Sequence, residues 1–151
     1  MFVSVDELIR IKKLINEAGL QRSSSLKLWM MVETPANVLM LDKFIEVGID
    51  GVSIGSNDLT MLLLGTDRDN PEISSEFNEM DPAVLWSLEH IIKTAHKYAV
   101  TSSICGQGVS NYPELVRKVV SLGISSISVS PDAIDHTKKT IVQAEKELLL
   151  K

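Results

Sequence analysis

At 151 residues, with 44% hydrophobic, 23% charged and only 5% aromatic residues, the chain has the make-up of one globular domain with an aliphatic core. A net charge of -5 with no stripe of Lys and Arg argues against a nucleic-acid surface, and no apolar run reaches the ~18 residues that span a membrane. The N-terminus, MFVSVDELIR, mixes acids and bases unlike a signal peptide, and the single Cys105 can form no internal disulfide, so the expected location is a reducing cytoplasm.

Met1 to Val3 is an apolar stub too short to be a strand of its own. Ser4 to Gly19 predicts an amphipathic helix: Ser4 and Glu7 form a capping box, Val5, Leu8, Ile11, Leu14 and Ile15 recur at helical spacing, and Gly19 supplies the stop. After a polar loop, Leu26 to Val32 (LKLWMMV) has the length and continuity of a strand buried on both faces of a parallel sheet. Pro35 then opens a helix to about Val47, with Gly48 beyond it.

The same grammar recurs three times. Ile49 to Ile54 predicts a strand and Ser56 or Asn57 to Leu64 a short helix. Gly65 to Asp81, rich in Asp, Asn, Glu, Ser and Gly, reads as a loop or excursion. Pro82 opens a helix to about Tyr98 with Val84, Leu85, Leu88, Ile91, Ile92 and Ala95 on one face. Ala99 to Ile104 is a third strand, left through Cys105-Gly106-Gln107-Gly108, and Tyr112 or Pro113 to Leu122 is helical. Ile124 to Ser130 alternates as a fourth strand, and Pro131-Asp132 starts the last helix. Four strands each followed by a helix give a parallel α/β sheet, and both doubly wound sheets and (β/α) barrels satisfy that order. In either, functional groups collect at the carboxyl ends of the strands.

Those ends carry Glu33, then Ser56-Asn57-Asp58, then Cys105-Gly106-Gln107, then Ser130-Pro131-Asp132. The stretch GVSIGSNDLTMLLL (Gly51 to Leu64) stands out. A buried run breaks at Gly55 into small polar residues that suit a helix start, where free N–H groups and a carboxylate can hold a phosphate and a divalent cation together. Each feature also has a plainer reading. The turn can simply join a strand to a helix, Glu33 can be a first-turn acid favoured by the helix dipole, and Cys105 can be a small buried hydrophobe. His90, His96 and His136 lie on helices without a paired ligand pattern and read as surface or capping residues.

Taken in order, Glu33-Thr34-Pro35, GSNDLT (Gly55 to Thr60), DRD (Asp67 to Asp69), DPAV (Asp81 to Val84) and ICGQ (Ile104 to Gln107) resemble the C-terminal domain of the phosphoenolpyruvate synthase family (pyruvate, water dikinase). That family is grouped with pyruvate phosphate dikinase and enzyme I of the sugar phosphotransferase system, and GSND with CGQ is closer to the synthase pattern than GTND with CGE. The chain departs from the pattern at Met61, where the family carries Gln.

The resemblance implies the second half of a TIM (β/α)8 barrel: Met1 to Val3 ends the fourth strand, and strands beginning near Leu26, Ile49, Ala99 and Ile124 are the fifth to eighth. It implies that Glu33 and Asp58 hold Mg2+, that Gly55, Ser56, Asn57 and Asp58 meet pyruvate or phosphoenolpyruvate, and that Cys105 exchanges a proton with the substrate's methyl or methylene carbon. A hard cation wants carboxylate oxygens, and a thiol titrates close enough to neutral pH to carry a proton to carbon. The phosphohistidine domain, the ATP-binding domain and the arginines of the first half-barrel are not in this chain, which by itself is then expected to be inactive. Of the arginines present, Arg68 lies nearest the site. A half-barrel also leaves two unpaired edges, so self-association is expected. The alternatives are a non-enzymatic half-barrel kept for ligand binding or assembly, and another Mg-dependent (β/α) lyase or aldolase.

Overall fold

The computed structural model describes residues 4–150; the expected strand tail at Met1 to Val3 lies outside the described residues. Among these residues four strands, β1 (Trp29–Val32), β2 (Gly51–Gly55), β3 (Thr101–Cys105) and β4 (Ser126–Ile127), form one parallel sheet in the order β1-β2-β3-β4. Among the described residues eight α-helices accompany them: α1 (Val5–Glu17), α2 (Pro35–Leu39), α3 (Leu41–Glu46), α4 (Ser56–Leu64), α5 (Pro82–Lys97), α6 (Gly108–Asn111), α7 (Pro113–Ser121) and α8 (Ile134–Leu149).

Alternate residues of a strand face opposite ways, and here the two faces differ in kind. Met30, Val32, Val52, Ile54 and Ile104 point to the helices and are sealed against Phe44, Leu59, Leu88, Ile91 and Leu115. The other face carries Trp29 and Met31, 41% and 38% exposed, beside the half-buried Ser53 and Ser103. The core therefore lies on one side of the sheet only. No helix among the described residues is long and apolar enough to cross a membrane.

Caps place the helices where the sequence put their starts. Ser4 Oγ accepts from the Glu7 N–H at 3.2 Å, and Asp81 Oδ1 from the Ala83 N–H at 2.8 Å. At α2, Thr34 Oγ1 accepts from the Asn37 N–H at 3.1 Å while Asn37 Oδ1 accepts from the N–H groups of both Thr34 and Glu33 at 3.2 Å. That exchange fixes the backbone at the end of β1.

Four departures from the sequence reading bear on the site and its frame. The ladder of β1 starts at Trp29 instead of Leu26 because the Leu28 N–H is taken by the Asp50 carboxylate at 2.8 Å. The helix expected from Pro35 to Val47 is broken at Met40, whose φ of -112° and ψ of 21° leave the helical region with no proline or glycine to mark it. Val38 on one piece and Leu41, Phe44 and Ile45 on the other are all buried, so the break serves the packing. The alternating run Ile124 to Ser130 contributes only Ser126–Ile127 to the ladder, before the Ser130 N–H turns away to Ser110 Oγ at 3.3 Å. Finally, the segment from Gly65 to Asp81 is built. Asp67, Asn70 and Asn78 each accept from the N–H two residues on, a 3-10 turn spans Ser74–Glu76, and Glu79 is buried.

Candidate functional site

The site arises from strand register. Pairing joins Val32 to Ile54 and Gly55 to Cys105, so Glu33, one residue past Val32, reaches the level of Gly55 and Cys105. These three continue the row begun by Met31, Ser53 and Ser103, on the face away from the helices. Gly55 stands between the carboxylate and the thiol for a steric reason: a Cβ there would lie 2.9 Å from Glu33 Cγ and 3.3 Å from its Oε1. Any side chain at that position would displace Glu33.

Glu33, Gly55, Ser56, Asn57, Asp58 and Cys105 all line one cleft of about 200 Å3, with Arg68 at its side. Among the described residues, neither Glu33 nor Asp58 has a side-chain hydrogen bond or ion pair. The Cys105 thiol is half-buried, donates to the Ile54 carbonyl at 3.6 Å and lies 4.0 Å from Ser53 Oγ. Helix α4 begins at Ser56 with Gly55 as its cap residue and no side-chain cap, so the N–H groups of its first turn lack intrahelical acceptors. They open at the carboxyl end of β2 beside these carboxylates.

The residues expected to meet substrate differ in what they present. Asn57 Oδ1 accepts the Gln107 N–H at 3.1 Å, which leaves its NH2 as the free donor end. Ser56 is fully buried, and its hydroxyl donates to Glu79 Oε1 at 2.6 Å. What Ser56 offers the cleft is therefore its backbone N–H. Arg68 donates to Gln107 Oε1 at 3.3 Å and lies 4.0 Å from Asp69. Of the histidines, His90 stacks on Trp86 with ring centroids 5.2 Å apart and His96 bonds the Gly123 carbonyl at 2.8 Å, both away from the cleft.

Sequence reasoning missed Glu79. It sits in a stretch with Glu72 and Glu76, and no local pattern separates it from them. The nearest signal was the pair Gly106 and Gly108, two glycines separated by one residue that announce a close approach without saying of what.

The donor set suits a hard cation of low protein coordination. Among the described residues no three or more His, Cys, Asp or Glu groups are gathered to hold a metal. Two unpartnered carboxylates suffice for Mg2+, which keeps waters and substrate oxygens in its remaining positions.

Comparison with known proteins gives the family. Residues 1–146 match the model of the family described as PEP-utilising enzyme, PEP-binding domain. A phosphoenolpyruvate synthase from Aeropyrum pernix is 48% identical over 146 residues, covering 95% of this chain and 18% of the relative. One from Pyrococcus furiosus is 41% identical over 147 residues, again 18% of its length. The chain thus spans about a fifth of these relatives. Among solved structures, RipC from Yersinia pestis superposes with a TM-score of 0.65 at 10% identity, over 93% of this chain and 60% of that one. A citrate lyase from Burkholderia xenovorans gives 0.63 at 18% identity, over 95% and 46%. At those identities the likeness speaks for the fold, four βα units of a TIM-type barrel. The chain belongs to the PEP-utilising enzymes, as their PEP-binding domain.

Proposed function

We propose that the chain is the substrate half-site of a pyruvate, water dikinase: one domain equivalent to strands five to eight of a barrel, binding Mg2+ and pyruvate or phosphoenolpyruvate in the cytoplasm. The observation that carries the reading is the pair of unpartnered carboxylates, Glu33 and Asp58, sharing a cleft with the Cys105 thiol. Like charges gathered without a protein partner call for a cation.

Glu33 and Asp58 hold the Mg2+, which when bound supplies positive charge against the substrate's oxygens. The free N–H groups at the start of α4 and the Asn57 NH2 receive the phosphate and carboxylate, and Gly55 lets them come close to the backbone. Cys105, as thiolate, takes a proton from the methyl carbon of pyruvate. The resulting enolate oxygen attacks the phosphorus of a phosphohistidine carried by another domain, the N–P bond breaks, and phosphoenolpyruvate forms. In reverse, the thiol returns the proton to the methylene carbon. The full enzyme converts ATP, pyruvate and water to AMP, phosphoenolpyruvate and phosphate. This chain binds without turning over, since the phosphoryl donor and nucleotide site belong to other domains, a division supported by the share of its relatives that it covers.

Calorimetric titration tests the reading. Phosphoenolpyruvate is expected to bind in the presence of Mg2+ and not with chelator, and absence of both heat and thermal shift in the Mg2+ titration sinks it. The bare sheet face with Trp29 and Met31, flanked by the outer edges of β1 and β4, supports self-association as a two-fold dimer in which each copy covers the other. Light scattering on a size-exclusion column checks this, and a well-folded monomer contradicts it.

A further inference from the structure

Glu79 is a buried carboxyl group beside the cleft that the proposed chemistry leaves without a task. It is 2% exposed, its Oε1 accepts the Ser56 hydroxyl proton at 2.6 Å, and its carboxyl lies against Gly108: a Cβ on that glycine would stand 2.6 to 2.7 Å from Cδ and both oxygens. On the other side of the link, a Cβ on Gly106 would stand 2.1 Å from Ser56 Oγ and 3.1 Å from Asn57 Oδ1. Both glycines of Cys105-Gly106-Gln107-Gly108 thus give way to the same buried pair. The Gln107 N–H, donated to Asn57 Oδ1, is the loop's own bond to the α4 turn.

We infer that Glu79 is a positioning residue: through Ser56 it locks the turn that starts α4 onto the loop that carries Cys105, and so sets where substrate donors and thiol stand relative to each other. The excursion from Gly65 to Asp81 is then the clamp of the site. A serine hydroxyl has one proton, and with it given to Glu79 the orientation of Ser56 is fixed. Removing the acceptor leaves a buried hydroxyl unsatisfied and a void beside Gly108, and both loops lose their common stop. The consequence for phosphoenolpyruvate rests on the function proposed above; the consequence for the thiol does not.

The test uses the chain itself with Glu79→Ala, Glu79→Gln and Ser56→Ala, read by the rate and pH profile of iodoacetamide alkylation at Cys105 and by phosphoenolpyruvate affinity with Mg2+. Glu79→Ala is expected to change the alkylation rate about five-fold or more and to weaken phosphoenolpyruvate about ten-fold, the scale of one buried polar group left unpaired. Glu79→Gln keeps an acceptor oxygen in place and returns both to within about two-fold of the parent. Ser56→Ala cuts the same link by a single oxygen, so it reproduces the Glu79→Ala effect, is not additive with it, and carries the test should Glu79→Ala fail to fold. A purely structural Glu79 lowers the melting temperature and leaves the folded protein's alkylation profile alone. That result, or a loss that Glu79→Gln does not restore, overturns the inference. If the parent chain takes up no phosphoenolpyruvate, the functional reading falls and alkylation alone judges the link.

Discussion

The two ends of the sheet are both rich in charge, and they handle it in opposite ways. At the amino ends, Asp50 accepts from the Leu28 N–H and from Arg22 Nε, each at 2.8 Å, with Lys27 at 3.7 Å. Lys12 bonds the Val47 and Gly48 carbonyls, and Arg22 also reaches the Gly48 carbonyl at 3.0 Å. The hollow these groups line, about 540 Å3, is larger than the cleft at the other end. Its charges nevertheless bond one another and the backbone, which holds β1, β2 and the end of α3 together. At the carboxyl ends, Glu33 and Asp58 line a smaller cleft with no such partners. The difference teaches that size is a poorer guide to a candidate site than unspent hydrogen-bonding capacity.

The sharpest way to break the carboxyl end is Gly106→Ala. Its φ of 131° and the 2.1 Å approach of Ser56 Oγ make an added methyl both strained and overpacked, at a cost of about 3 kcal/mol or more, to be read from urea unfolding. An alanine there that unfolds at the parent's midpoint would refute the account of the loop. Next comes Asp50→Asn, which keeps an acceptor for the Leu28 N–H and removes the charge. Chiefly that N–H bond, and then Arg22, holds the Asp50 carboxyl below its ordinary value of 3.8. The unfolded chain therefore binds this proton first, so the stabilisation is complete above about pH 4 and is lost as pH falls through the depressed folded value. The variant is expected to lower the urea midpoint at pH 7 and to flatten the acid limb of the stability curve, and an unchanged limb would assign acid sensitivity to other carboxylates. Among these, Glu89 is held down at about 2 by Lys93 first and Lys118 second. The smallest effect on folding is expected from Glu33→Gln and Asp58→Asn. With no protein partner to lose, each should leave stability within about 0.5 kcal/mol while removing the Mg2+-dependent heat of phosphoenolpyruvate binding. A large loss of stability in either would place these carboxylates with Asp50, as structural groups.

How much of this was legible in the sequence follows the same division. Caps and apolar periodicity are local, and Ser4, Thr34-Pro35, Asp81-Pro82 and Pro113 put helix starts within a residue or two of where they stand. Three of the four strand exits named residues that line the cleft because each lies next to its own strand; the fourth, Ser130-Pro131-Asp132, is not part of its lining. What was not legible depends on partners far along the chain. The Leu28 N–H leaves the ladder for a carboxylate 22 residues later, the break at Met40 answers to packing, and Glu79 takes its meaning from Ser56 and Gly108. The wrongly extended fourth strand alternated convincingly, yet only Ser126–Ile127 pairs with β3.

That short fourth ladder has a bearing on how the site would come apart. β3 carries Cys105 and has only a two-residue ladder on its outer side, while β1, which leads into Glu33, is joined to β2 over four residues and has no strand beyond it among the described residues. On warming, fraying that begins at β4 is expected to stop at β3, because β3 joins β2 over five residues and both partners of the thiol, the Ile54 carbonyl and Ser53 Oγ, belong to β2.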